Sequence, residues 1–239
     1  MQDLQIGAWA GDFLSGLWVT IYVTILCAAA ALVIAVVLGL LARMDHLFPR
    51  TCARIVIEFF RGTSLLVQLF WLYYVLPLLG YRLDPLLVAV VAFGLNFGAY
   101  GAEVVRGAIN AVPRPQWEGS VALNLTPYQR MRRVILPQAL PLMLPPFNNL
   151  LIQLLKSTPL VFLITLQDLT YVGDAYRLSL GNEAFVFPLL LVMYFVLSYL
   201  FTLFMHVLEA RAKRRLGQLE ERRAIFVFRG PQEEEGVHA

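Results

Sequence analysis

Charge is scarce in this sequence, and the scarcity decides its class. Asp, Glu, Lys and Arg make up 15% of the 239 residues, against 59% apolar residues and a mean hydropathy of +0.68. A soluble domain carries about 25% charged residues, so one or two soluble domains are excluded and an integral membrane protein is left. Cysteine is nearly absent. Cys27 lies in an apolar run and Cys52 at a basic edge, so no disulfide framework is built and neither has metal-ligand company. The three histidines, His46, His206 and His238, are too scattered to share a metal, and no Ser-His-Asp arrangement is suggested. The phosphate loop Gly-x-x-x-x-Gly-Lys-Ser/Thr is missing, so this chain does not hydrolyse ATP itself. Residues 1–16 hold no Lys or Arg, whereas a signal peptide needs a basic start. No internal repeat is visible, and nothing points to nucleic acid.

What is present is a series of long apolar runs. Stretches of ~20 apolar residues are read as helices that cross a bilayer. They fall at roughly Leu17–Leu41, Thr63–Leu79, Leu86–Ala102, Leu140–Leu169 (broken by prolines) and Phe185–Leu208. The expected fold is all-α and polytopic, with five transmembrane helices. Five spans put the two ends on opposite sides. Sixteen Lys and Arg follow the first, third and fifth spans, and only Arg82 and Arg177 lie on the other side. The positive-inside rule then puts the N-terminus outside and the C-terminus in the cytoplasm. Residues 1–209 form the membrane domain and 210–239 a charged tail. Residues 210–221 can extend the fifth helix into water. The acidic run after Gly230 is expected to be disordered, and Phe226 and Phe228 have no explanation.

One polar stretch interrupts this apolar chain, Gln116 to Pro137 on the cytoplasmic side. It reads as two short helices and a tight turn. Pro115 can open the first. Asn124 can take the left-handed backbone that ends it. Thr126 is then an N-cap, Pro127 the first helical residue, and Gln129 completes a capping box. Pro137 is expected to close the second helix. A basic hairpin of this kind can be only a loop that fixes orientation.

The same stretch resembles the coupling motif of ATP-binding-cassette importer permeases: Glu-Ala-Ala, three residues, Gly, nine residues, Ile-x-Leu-Pro. Glu118 takes the acidic position and Asn124 the glycine position, and Val134, Leu136 and Pro137 supply the ending. Gly119 and Ser120 stand in place of the alanines, both still small. Two further segments resemble the polar amino acid subgroup. Residues 61–68 follow Arg-Gly-Thr-Pro-Leu-Leu-Val-Gln with Ser64 in place of proline, and residues 155–160 follow Leu-Lys-Ser-Thr-Ser-Leu with Pro159 in place of the second serine. The resemblance implies a type I importer permease. It implies an ATPase dimer that binds the ATP and grips the motif 115–137, with Glu118 facing a basic residue of the ATPase. It implies a second permease copy or a paralogue. An external solute-binding protein would dock on outer loops near Asp168, Asp174, Arg177 and Glu183. Arg130, Arg132 and Arg133 would sit at lipid headgroups of the bacterial inner membrane. The alternative from the residues alone is a self-sufficient secondary transporter or channel.

Some residues carry readings of their own. Gln68 within a span seeks a partner across helices. Gly94, Gly98 and Ala102 form a small-residue stripe for close helix contact, inside the permease or at a dimer interface. Asn148, Asn149, Gln153, Lys156, Ser157 and Thr158 gather before Pro159, which frees a backbone carbonyl one turn earlier. A lysine inside a span faces a cavity or a partner. Polar residues beside a helix break mark the translocation path, while Lys156 pairing with Glu103 or Glu58 stays open.

Overall fold

The computed structural model describes residues 2–181 and 183–215. The tail features at Phe226, Phe228 and after Gly230 lie outside the described residues. Those described form eight helical elements and no strand: α1 (Gln2–Leu41), α2 (Leu47–Gly62), α3 (Leu65–Leu79), α4 (Pro85–Asn110), α5 (Arg114–Ala122), α6 (Pro127–Ile164), α7 (Leu169–Leu180) and α8 (Glu183–Arg215). Four are long and apolar enough to cross a membrane: α1 from Gly11, α4, α6 and α8 to Arg211. The fifth crossing is a bent pair, α2 and α3, which meet at 101°. The residue 209/210 boundary falls inside α8, which continues to Arg215.

α2 precedes the expected second span and was not itself anticipated. It is a helix because its small and apolar residues recur at a helical spacing. Ala53 and Ile57 are buried against Ala42 and Ala102, while Arg54 and Glu58 are exposed. It ends at Gly62, and Thr63 and Ser64 are extended before α3 begins.

α1 and α4 pack closest, through the small-residue stripe. A methyl group built on Gly98 would lie 2.7 Å from Ile34 Cγ2, and one on Gly94 would lie 3.1 Å from Ala30 Cβ. Gly39 of α1 repeats the arrangement toward Val105, at 2.8 Å. The stripe is therefore an intrachain contact. One buried cluster (Val23, Cys27, Phe93, Leu154) joins α1, α4 and α6. A second, Val105, Ile109, Ile135 and Met143, lies nearer the α5–α6 hairpin.

Pro137 does not close the second helix of the hairpin. α6 runs on through it into the membrane span. Residues Met131–Ile135 form a π-turn, with the Leu136 amide bonded to the Met131 carbonyl five residues back. A wider turn lodges a residue that has no N–H and whose ring crowds the carbonyl four back. Pro159 then starts a 3₁₀ turn, Thr158–Ile164. The freed carbonyl of Leu155 accepts from the Thr158 hydroxyl at 2.7 Å. Thr165, at φ 67°, ends that turn in the left-handed region, and its hydroxyl meets that of Tyr73 at 3.0 Å.

Residues 168–180 were read with the outer loops. They form α7 instead, and Asp168 is not solvated. It is buried and caps α7 by accepting from the Tyr171 amide at 2.9 Å. The Tyr194 hydroxyl donates to it at 3.0 Å. Burial pushes the Asp168 carboxyl above the ordinary carboxylate range, against these hydrogen bonds. Arg177 pairs with Asp174 at 2.8 Å and Glu183 at 3.0 Å.

Candidate functional site

Two places combine exposed chemistry with local order. The first is the hairpin. α5 ends in a complete Schellman motif: the Asn124 amide bonds to Val121 O at 2.8 Å and the Leu125 amide to Ser120 O at 3.1 Å. Asn124 has φ 53°, the left-handed backbone expected of it. Thr126 and Gln129 form the expected capping box. Ser120 is buried and bonds Trp117 O at 2.6 Å, which leaves no room for a larger side chain. Glu118 and Gly119 are exposed, as are Val121 and Leu123, the last at 75%. Among the described residues Glu118 has no ionic partner. Leu136 and Pro137 are half-buried past the π-turn and hold the second arm to the bundle.

The second place is the elbow between α2 and α3. The break leaves the last carbonyls of α2 without helical donors. Side chains take them. Gln68 Nε2 donates to Phe60 O (3.1 Å) and to Thr63 Oγ1 (2.7 Å), Asn96 donates to Phe60 O (2.9 Å), and the Tyr100 hydroxyl donates to Arg61 O (3.2 Å). The Arg61 guanidinium lies over the Tyr100 ring, 5.3 Å from its centroid. Irregular backbone at membrane depth needs such partners. Beside the elbow opens a groove of about 460 Å³, lined by Thr63, Ser64, Leu65, Asn96, Phe97, Tyr100, Gln153, Lys156 and Ser157. It joins the two segments 61–68 and 155–160, which are distant in sequence. No carboxylate is among its lining residues. Glu103 is held by Arg106, at 3.1 Å to Nε, and Glu58 faces Arg61 at 3.9 Å. Lys156 pairs with neither.

Comparison with known proteins decides the family. Residues 31–214 match the family model of the binding-protein-dependent transport system inner membrane component. The chain belongs to that family. This transport component is 42% identical over 215 residues to a probable amino-acid ABC transporter permease of Sinorhizobium fredii, covering 87% of this chain and 90% of that one. It is 35% identical over 201 residues to an L-cystine transport system permease of Bacillus subtilis, covering 83% and 86%. It is also similar to a chain in the crystal structure of an amino acid ABC transporter with histidines, with a TM-score of 0.80, 31% identity and coverage of 87% and 97%. The chain is thus a multi-pass membrane transport subunit of an ABC importer. A self-sufficient channel is set aside.

The permease brings together part of the path read from its sequence. Gln153, Lys156 and Ser157 line the groove, and exposed Asn149 continues the same face of α6 one turn earlier. Gln68 is buried and belongs to the elbow, with its Oε1 unpaired among the described residues. Asn148 is buried between helices with its Oδ1 likewise unpaired. Thr158 is fully buried and serves the helix break. Asn96 and Tyr100 line the groove but were not singled out in the sequence. The available signal was one amide inside the otherwise apolar run of α4.

Proposed function

We propose that this permease is one half of the membrane pathway of an ATP-driven importer for amino acids or related small polar solutes. Solute crosses by alternating access between its spans and those of a second permease, identical or paralogous. The observation that carries this reading is the groove with Lys156, which has no ionic partner among the described residues, and no carboxylate among its lining residues. A lysine within a span calls for a counter-charge, and the α-carboxylate of an amino acid supplies one. Thr63, Ser64, Asn96, Gln153 and Ser157 offer neutral partners for the rest of the solute. A groove without an acid favours a neutral side chain over a cationic one. The amino-acid permeases to which the chain is similar support the same solute class.

The hairpin is the surface an ATPase subunit would cover. Exposed Val121 and Leu123 supply apolar contact, and Glu118 supplies a charge with no ionic partner among the described residues. ATP would be bound by that partner and not by this chain. Charge asymmetry supports an N-terminus outside and a C-terminus in the cytoplasm. A solute-binding protein would then meet the opposite end, around α7. Arg130, Arg132 and Arg133 would lie at the headgroups.

The test is reconstitution with the ATPase pair and solute-binding protein. Lys156→Met is expected to lower transport while the ATPase still associates; transport equal to wild type sinks the path-lining role. Glu118→Lys is expected to lower solute-stimulated ATP hydrolysis roughly 10- to 100-fold, the scale of one charged hydrogen bond. Full stimulation in that variant reduces the hairpin to a loop that fixes orientation.

A further inference from the structure

Arg43 lies just past the end of α1, at the hairpin end of the bundle. Its guanidinium donates to Asn110 Oδ1 at the end of α4. It also lies over the Trp117 ring in α5, 5.4 Å from the centroid. One side chain therefore joins three elements. Trp117 directly precedes Glu118 and packs on the cluster of Val105, Ile109, Val112 and Ile135. Among the described residues no carboxylate pairs with Arg43. The nearby Glu103 is taken by Arg106. Burial first, and Arg106 second, act against the charge on Arg43. The indole face and the Asn110 carbonyl are what offset that cost. Another side-chain tie of α5, Gln138 Nε2 donating to Gln116 Oε1 at 3.2 Å, leads into α6 and not to α1 or α4.

We infer that Arg43 is a positioning residue for coupling, which makes α1 and α4 follow α5 when an ATPase displaces the hairpin. This rests on the importer reading above. α4 carries Asn96 and Tyr100 on the groove wall, and α1 backs α4 through the glycine contacts. With the tether in place, hairpin motion reaches that wall. Without it, α5 rolls on its own apolar contacts and hydrolysis proceeds with less transport.

The experiment measures solute transported per ATP hydrolysed by the reconstituted complex. Arg43→Gln and Trp117→Ala are each expected to lower the ratio roughly three- to tenfold, the scale of one cation–π contact. The double variant should lose less than the product of the two single losses, because the cation–π contact is removed by either change alone. Arg43→Lys and Trp117→Phe keep a cation and an aromatic face, so they guard against a folding failure. Each is expected to lower the ratio by less while the hydrolysis rate holds. A wild-type ratio in Arg43→Lys and Arg43→Gln, or losses that multiply in the double variant, overturns the tether. The wild-type complex separates the two ideas. If it shows no solute-stimulated hydrolysis, the importer reading fails; if it does and every variant keeps its ratio, only the tether fails.

Discussion

Adding one methyl group at Gly98 should weaken the fold, while adding one at Gly107 should strengthen it. Both glycines lie in α4. At Gly98 the new carbon would sit 2.7 Å from Ile34 Cγ2, 2.8 Å from Ile34 Cβ and 3.2 Å from the Ala31 carbonyl oxygen. Carbon atoms pack best at ~3.5–4.0 Å, so α1 and α4 must part by about 1 Å. Forced overpacking of this kind costs about 1–3 kcal/mol. At Gly107 nothing lies within 4 Å. There alanine only removes backbone freedom from the unfolded chain, a gain of about 0.5–1 kcal/mol. Each variant adds the same group, and the two should differ by roughly 1.5–4 kcal/mol. Thermal unfolding of the detergent-purified protein reads this as midpoints that move in opposite directions. Ile34→Ala placed in the Gly98→Ala background should lower stability by less than the two separate losses together, because the sites touch. It cannot restore the wild type, since the 2.8 Å approach to Ile34 Cβ remains. A Gly98→Ala midpoint at or above wild type would refute the close-packing argument.

Asn124→Gly should keep the hairpin and its ATPase stimulation, because glycine takes the left-handed backbone more easily. Asn124→Val should lose stimulation, because a β-branched residue resists φ 53°; full stimulation in Asn124→Val would mean the turn does not aim Glu118. Asp168 gives a pH test. Its folded-state carboxyl is raised by burial, so the native state binds the proton more tightly than the unfolded chain. Its stabilising contribution is therefore largest in acid and is lost as pH rises through the raised value. The stability of wild type relative to Asp168→Asn should be greater near pH 4, about the ordinary Asp value, than at pH 7.5, read as the difference in thermal midpoints; a constant or reversed difference contradicts the burial argument. Thr165→Gly should raise the midpoint, by relief of a cost of roughly 1–2 kcal/mol for a left-handed residue, offset by loss of the Tyr73 contact; a large fall would show that contact dominates.

The sequence spoke clearly wherever a feature was local. Asn124, Thr126 and Gln129 fix the hairpin within a few residues of themselves, so turn and cap could be read from spacing alone. The Gly94–Gly98–Ala102 stripe was legible as a close contact, but its partner, Ile34 on α1, was not, because nothing local names it. Pro137 misled, because a proline ends a helix when the carbonyl behind it cannot move aside; here the π-turn moves it. α2 was hidden by its arginines, which read equally well as orientation signals. Asp168 looked like a loop residue because its burial depends on Tyr194, 26 residues away. Asn96 was missed for the same reason. The carbonyl it serves belongs to Phe60, 36 residues back, and exists as a free acceptor only because α2 breaks there.

α6 has a consequence for how force travels. From Pro127 in the hairpin to Lys156 in the groove it is one continuous helix, about 44 Å long at 1.5 Å per residue. Ala139, Pro141 and Met143, near its midpoint, are buried, and Ala139 and Met143 lie in the cluster shared with Val105 and Ile109 of α4. That is the layout of a lever with a central fulcrum. A tilt of ~5° about that point carries each end ~2 Å in opposite directions. A 2 Å shift is enough to make or break a hydrogen bond at the groove. The arms are nearly equal, so the lever trades no distance for force; it reverses direction. A push that moves the hairpin one way swings Lys156 the other way, so the ammonium would shift relative to the elbow on the same stroke.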